Sequence, residues 1–224
     1  MRPAPSAAMN RSYKIGWHCF RALFRFYFRW RVCNPERVPK SGPVILACNH
    51  ASFLDPPLVG ADLRRPISYL ARASLFRFPP LAAILRSWEV IPVDRDGGTG
   101  RGLKTILERL ERGGAIILFP EGTRTPDGQL QPARSGIGLA VIKSSAPVVP
   151  VRVFGTFTAY GKSRLWPRPR RLTVKYGPAL GFASQRAEAE TCSMPRLKQI
   201  YQEVADEIMS AIARLEPEED NQHD

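Results

Sequence analysis

Ala115-Ile116-Ile117-Leu118-Phe119-Pro120-Glu121-Gly122-Thr123-Arg124 begins as five apolar residues in a row and ends as a polar turn. An unbroken apolar run of this length, stopped by proline, reads as a strand covered on both faces by helices. Comparable runs recur, and the predicted strands are 44–48, 67–71, 89–93, 115–119, 148–154 and 172–176. Helical patterns are predicted at 57–62, 75–86, 101–111, 135–144 and 196–215. This alternation argues for an α/β fold with a mixed, largely parallel sheet flanked by helices. In such sheets ligand chemistry gathers in loops beyond the carboxyl ends of strands. Two loops here are rich in polar groups: Asn49-His50-Ala51-Ser52-Phe53-Leu54-Asp55-Pro56 after the first strand, and Pro120-Glu121-Gly122-Thr123-Arg124 after the fourth.

The chain of 224 residues is long enough for one sizeable core with an appendage. Its expected organisation is a tail, amphipathic helix and linker over 1–40, an α/β domain over 41–215, and an acidic tail over 216–224. With 44% hydrophobic and 24% charged residues, it is neither disordered, collagen-like nor a disulfide scaffold. The 33 Lys+Arg against 20 Asp+Glu give a net charge of +13, which implies an anionic partner: nucleic acid, membrane surface or phosphorylated substrate. Cys19, Cys33, Cys48 and Cys192 show no C-x-x-C or metal-site spacing, so they read as reduced thiols in a cytosol-facing protein. No apolar run approaches the ~18 residues of a spanning helix, and the N-terminus lacks the apolar core of a secretory signal.

His50 and Asp55 share the first polar loop. A carboxylate that holds one imidazole nitrogen fixes the tautomer and leaves the other nitrogen as a base. The competing reading makes Asp55 an N-cap before Pro56-Pro57 and His50 an ordinary loop histidine. There is no G-x-S-x-G elbow, so such a base would serve a substrate hydroxyl or water rather than a protein nucleophile. Arg124 ends the second loop, and Arg95 ends Ile91-Pro92-Val93-Asp94-Arg95. If their strands are neighbours, the two arginines converge near His50 as a bidentate cradle for phosphate. For either arginine taken alone, a surface ion pair with Asp94, Asp96 or Glu121 is the usual account. The glycines of Gly97-Gly98-Thr99-Gly100-Arg101-Gly102-Leu103-Lys104-Thr105 suggest a phosphate-binding loop, but Leu103 stands where lysine is required, so the stretch reads as a turn into a helix.

Four blocks taken together, Asn49-His50-x4-Asp55-Pro56, Ile91-Pro92-Val93-Asp94-Arg95, Phe119-Pro120-Glu121-Gly122-Thr123-Arg124 and Val148-Val149-Pro150-Val151, resemble the 1-acyl-glycerol-3-phosphate acyltransferases of the glycerolipid acyltransferase superfamily. The resemblance spans roughly residues 38–155. It implies His50 as general base, Asp55 as its orienting partner, and Arg95, Glu121, Gly122, Thr123 and Arg124 around the acceptor phosphate. Val149 and Pro150 fall in the block assigned to the acyl-donor side. Two departures stand out: Glu89 where relatives often carry glycine, and Arg134 where they often carry lysine. The implied reaction moves a fatty acyl group from acyl-CoA or acyl-carrier protein to the free hydroxyl of a lysophospholipid, lysophosphatidate giving phosphatidate. It needs neither metal nor resident cofactor. The rival acceptors are glycerol-3-phosphate, another lysophospholipid or a lyso-aminolipid. A rival of another class is a non-catalytic basic module for lipid or nucleic acid.

Residues 11–31 hold six Lys/Arg and no acid. On a helix, Lys14, His18, Arg21, Arg25 and Arg29 fall in an arc of about 80°, with Ile15, Trp17, Phe20, Leu23, Phe24, Tyr27, Phe28 and Trp30 around the remainder. This reads as an interfacial helix that seats the protein peripherally or monotopically on the cytoplasmic face of a membrane. The alternatives are a helix packed wholly on the domain and a targeting peptide. Residues 162–175 add six bases, no acid and Trp166, a second docking patch. No nucleic acid is expected, because no nucleic-acid motif accompanies the bases.

Overall fold

The computed structural model describes residues 9–93 and 99–217. Among them, β1 (Arg31–Cys33), β2 (Val44–Cys48), β3 (Ile67–Arg72), β4 (Val90–Val93), β5 (Ala115–Leu118), β6 (Val148–Phe154) and β7 (Thr173–Tyr176) form one sheet. The order is β1-β7-β6-β2-β5-β3-β4, and every pairing is parallel except β6 with β7. The helices are α1 (Arg11–Phe26), α2 (Asp55–Gly60), α3 (Pro79–Ser87), α4 (Thr99–Glu111), α5 (Ser135–Ile142), α6 (Thr156–Tyr160), α7 (Ala183–Thr191) and α8 (Met194–Ala213).

The pleat explains the unbroken apolar runs. Val44, Leu46 and Cys48 of β2, with Ala115 and Ile117 of β5, pack with Phe24 of α1 and Leu58 of α2. Ile45 and Ala47, with Ile116 and Leu118, face the other way onto Ile106 of α4, Ile137 of α5 and Ile208 of α8. Successive side chains point to opposite faces, so a strand covered on both must be apolar throughout. On the second face α5 approaches α8 so closely that a Cβ at Gly138 would lie 1.8 Å from the carbonyl oxygen of Tyr201.

The expected strands are present to within a residue or so at each end, and the differences have local causes. The helix expected over 75–86 is broken into a 3-10 turn, Ala73–Arg77, and α3. Phe78 precedes Pro79 and is extended there (φ −91°, ψ 110°), as the clash with the proline ring requires. Residues 11–31 are not one helix: α1 ends at Phe26, and Arg29 turns the chain with φ 45° into β1. β1, α6 and α7 had no counterpart among the expected elements.

α1 divides its apolar side chains between the core and the surface. Tyr13, Gly16, Phe24 and, beyond the helix, Phe28 are buried, whereas Ile15, Leu23 and Phe26 stay exposed. The packed helix expected as an alternative thus accounts for one side only. Residues 11–38, expected as an appendage, contribute β1 as well as Phe24, Phe28 and Val38 to the core. The linker is held by buried Arg65, whose guanidinium donates to the carbonyls of Pro39, Gly42 and Gly113 at 2.8, 2.7 and 3.1 Å. Among the described residues no helix is long and apolar enough to cross a membrane. All four cysteines are free.

Candidate active site

β2 ends at Cys48, and Asn49 fastens the following loop to the sheet. Its Oδ1 accepts the main-chain N–H of Val153 at 2.8 Å, and its Nδ2 donates to the Val153 carbonyl at 3.3 Å. A side-chain amide here takes the place of one more ladder residue beside β6. At the other end of the loop, Ser52 Oγ donates to the Tyr160 carbonyl at 2.6 Å.

Asp55 is not the N-cap; it is the first residue of α2, after Leu54. Pro56 and Pro57 have no N–H, so a carboxylate at this place finds no cap donors ahead of it and turns back to the loop. Its Oδ2 accepts the main-chain N–H groups of Ala51 and Ser52, both at 2.7 Å, and lies 2.9 Å from His50 Nδ1. Asp55 is fully buried, while the His50 side chain keeps 18% of its surface. Because Oδ2 already accepts two donors, Nδ1 carries the hydrogen and Nε2 presents its lone pair. Among the described residues Nε2 has no hydrogen-bond partner. The Phe119 ring stacks on the imidazole, centroids 3.9 Å apart at 20°.

The turn after β5 grips the His50 peptide from both sides. Glu121 Oε1 accepts the His50 N–H at 3.0 Å, and the Thr125 N–H donates to the His50 carbonyl at 2.8 Å. Gly122, at φ 70°, makes the turn, in a conformation that favours glycine. Glu121, expected beside an acceptor phosphate, is instead 3% exposed and turned inward. Burial pushes its carboxyl up to about 7, against the partial opposition of its hydrogen bonds to the main chain of His50 and Gln131.

Arg124 lies over Phe53, its guanidinium carbon 3.5 Å from the ring centroid. Arg134 packs on Gly122, where a Cβ would meet its Cδ at 2.9 Å. Arg124 therefore borders the loop that carries His50, Arg134 borders the turn after β5, and Thr123, half-buried, directly precedes Arg124 in that turn. Arg95 lies outside the described residues. Val149 and Pro150 do not join this cluster: they are buried in the body of β6, opposite Leu46 and Ala47 of β2. Phe53, Phe119 and Arg134 were not singled out as site residues. Phe119 was legible as part of its block, but nothing local marks Phe53 as the platform for an arginine.

An apolar cavity of about 270 Å³ abuts the loop, walled by Trp17 and Phe20 of α1, Phe53, Pro56, Tyr69 and Trp88. The arrangement offers a base, a cationic rim and an apolar recess side by side. That combination suits proton removal from a hydroxyl on a molecule with an anionic head and an apolar tail.

The family model described as Acyltransferase matches residues 29–154. A 1-acyl-sn-glycerol-3-phosphate acyltransferase of Bacillus subtilis (strain 168) is 29% identical over 144 residues, 64% of this chain and 71% of that protein. The chloroplastic enzyme of that name, BAT2, of Brassica napus is 29% identical over 138 residues, 60% of this chain. The chain spans only 40% of that plant protein and 38% of its Arabidopsis thaliana counterpart LPAT1. The crystal structure of the 1-acyl-sn-glycerophosphate (LPA) acyltransferase PlsC from Thermotoga maritima superposes with a TM-score of 0.68 at 25% identity, covering 92% of this chain and 80% of that one. A family match over more than half of the chain, on a fold shared almost throughout with a solved relative, means that the protein belongs to the acyltransferase family.

Proposed function

We propose that the protein transfers a fatty acyl group from a thioester donor, acyl-CoA or acyl-carrier protein, to the free hydroxyl of lysophosphatidate, giving phosphatidate. The observation that carries this reading is the His50–Asp55 contact, which leaves Nε2 as the available base. His50 Nε2 takes the hydroxyl proton as the oxygen attacks the thioester carbon. The tetrahedral intermediate collapses, the C–S bond breaks, and the proton passes from His50 to the departing thiolate. Asp55 holds the ring and stabilises the imidazolium. Arg124 and Arg134, with Arg95, hold the acceptor phosphate, so that binding energy orients the attacking oxygen. Gly122 and Thr123 supply the turn on which that rim is built, and Glu121 keeps His50 in place from behind. Val149 and Pro150 shape the strand beneath rather than touching the donor. The apolar cavity takes an acyl chain. Free-thiol release, measured across a panel of acceptors and donors, tests the reading. Lysophosphatidate is expected to outperform glycerol-3-phosphate and unphosphorylated acceptors; no release with any acceptor would overturn it.

The enzyme works at a membrane surface, as a peripheral or monotopic protein. Support comes from Ile15, Leu23 and Phe26, exposed along α1, the first two beside Ile84 of α3. Leu165 and Trp166 add a second exposed apolar point within the basic stretch 162–175. Deleting α1 would also remove core residues, so Ile15→Glu with Leu23→Glu is the cleaner probe. Loss of vesicle sedimentation with an unchanged thermal midpoint is expected, and full retention would show the helix to be a packing element.

A further inference from the structure

The apolar cavity beside the His50 loop has a neighbour. Along the seam between α1 and α3 runs a groove of about 500 Å³, lined by Ile15, Cys19 and Leu23 of α1 and by Ile84 of α3. Gly16, Phe20 and Trp88 line both spaces. Glycine brings no side chain, so the wall between the two is made of the rings of Phe20 and Trp88.

The chain around Trp88 explains why its ring stands there. α3 ends at Ser87, and the Trp88 N–H still donates to the carbonyls of Ile84 and Leu85 at 3.0 and 3.2 Å. Glu89 then turns the chain with φ 62°, its carboxylate paired with Arg109, and Val90 begins β4. Trp88 therefore belongs to neither helix nor strand, and its ring crosses to α1. There the indole N–H donates to the Ser12 carbonyl at 3.2 Å, and the ring meets Phe20 edge-on, centroids 5.8 Å apart at 73°. It lies so close over Gly16 that a Cβ there would come within 2.7 Å of Cζ2. Glycine weakens a helix interior, and what it permits in α1 is the approach of this ring. Polar bonds latch the same seam: Asn10 Nδ2 donates to the Ser87 carbonyl at 2.7 Å, and the Ser12 and Ser87 hydroxyls meet at 2.8 Å.

Size gives the wall its consequence. The inner cavity, about 270 Å³, falls just short of the ~300–1,000 Å³ usual for small-molecule sites. A chain that spans one bilayer leaflet is about 15 Å long, half of the hydrocarbon core. An acyl chain entering from the His50 loop meets Trp88, and the next apolar space for further methylenes lies behind that ring.

We infer that Trp88 is a specificity-determining residue: its ring is the end wall of the acyl-donor site and sets the longest chain that the inner cavity accepts, and the groove behind it is an extension of that site which the ring closes off. The inference rests on the proposal that the inner cavity takes the donor's acyl chain. A ring that served only to pack α3 on α1 would change stability when removed, not the preference for chain length.

The test is thiol release from saturated acyl-CoA donors of increasing length, with lysophosphatidate held fixed, in wild type, Trp88→Ala, Trp88→Phe and the double variant Cys19→Trp/Trp88→Ala. In wild type, kcat/KM is expected to stop rising at a definite chain length. In Trp88→Ala the rise continues past that length, by about 4-fold for each further methylene taken from water, so that two of them give more than about 10-fold. Trp88→Phe keeps an aromatic wall and holds the limit to within about one methylene. Cys19→Trp fills the outer groove, so the double variant returns toward the wild-type limit although Trp88 is absent. Thermal midpoints accompany each assay, and if Trp88→Ala does not fold, Trp88→Leu, which keeps apolar bulk near the main chain, takes its place. An unchanged limit in the folded variant, while Ala71→Phe inside the inner cavity shortens the preferred chain, would overturn the wall and leave the cavity as the acyl site. No change in either would overturn the cavity reading, and the inference with it. A gain that Cys19→Trp does not reverse would overturn the outer groove as the extension. A shift that follows the acceptor's chain length rather than the donor's would overturn the donor assignment.

Discussion

Glu121 Oε1 lies 3.0 Å from the main-chain nitrogen of His50, so an acid 71 residues downstream holds the proposed base by its peptide. The bond makes the two polar loops one unit. It also places a carboxyl with a pKa of about 7 directly behind His50, which couples the state of the loop to pH.

The pH dependence has a definite sign. Burial raises the carboxyl of Glu121 from its ordinary 4.5 to about 7 in the folded protein. Between those values the folded chain keeps a proton that the unfolded chain has released. Stability from this group is therefore greatest at and below about pH 4.5, falls as pH rises toward 7, and is flat above. Glu121→Gln removes the titration but keeps an acceptor for the His50 N–H. In urea melts from pH 5 to 8, the wild type is expected to lose stability relative to Glu121→Gln as pH rises, by at most about 3 kcal/mol. Parallel pH profiles for the two proteins would contradict this.

His50→Ala is expected to leave no measurable thiol release above background while the fold persists, because the imidazole is partly exposed and the ring it stacks on, Phe119, is only half-buried itself. Asp55→Asn retains an oxygen for the Ala51 and Ser52 N–H groups but not the charge that stabilises the imidazolium. A loss in kcat on the order of 10³–10⁴-fold is expected, with circular dichroism close to wild type.

Arg124→Ala and Arg134→Ala should each weaken use of the phosphorylated acceptor by about 1.5–3 kcal/mol, roughly 10- to 150-fold in kcat/KM. Steady-state kinetics with acceptor and donor varied separately provide the check. A change confined to the acyl donor would move these arginines to the donor side.

Ala71 lines the apolar cavity. Ala71→Phe is expected to shift preference toward shorter acyl donors by filling that space, at a stability cost of about 1–3 kcal/mol from overpacking. Thiol release against acyl chain length measures it, and an unchanged preference would remove the chain from this cavity.

Glu89 holds φ 62° and pairs with Arg109. An L-residue in the left-handed region costs about 1–2 kcal/mol, whereas a half-exposed ion pair contributes about 0–1 kcal/mol. Glu89→Gly should therefore be neutral or stabilising by up to about 1 kcal/mol, and Glu89→Ala, which keeps the strain and loses the pair, destabilising. Urea denaturation of the two variants gives the comparison. The same backbone angle explains why glycine suits this position.

Much of the architecture could be read along the chain because its causes are local. Apolar runs such as Ala115–Leu118 mark strands covered on both faces, proline and glycine mark where they stop, and His50 with Asp55 lie close enough in sequence for one loop to bring them together. The tertiary structure was needed wherever a partner is remote. Three residues, Arg31–Cys33, carry too little pattern to announce a strand, and they become β1 only because β7 stands ready beside them. Asn49 reaches Val153 across 104 residues, and Tyr27 reaches Pro167 across 140. Neither the inward turn of Glu121 nor the division of α1 into a packed side and an exposed side follows from periodicity. Periodicity tells which residues share a face but not what that face meets, since the neighbour is supplied by chain folded from elsewhere.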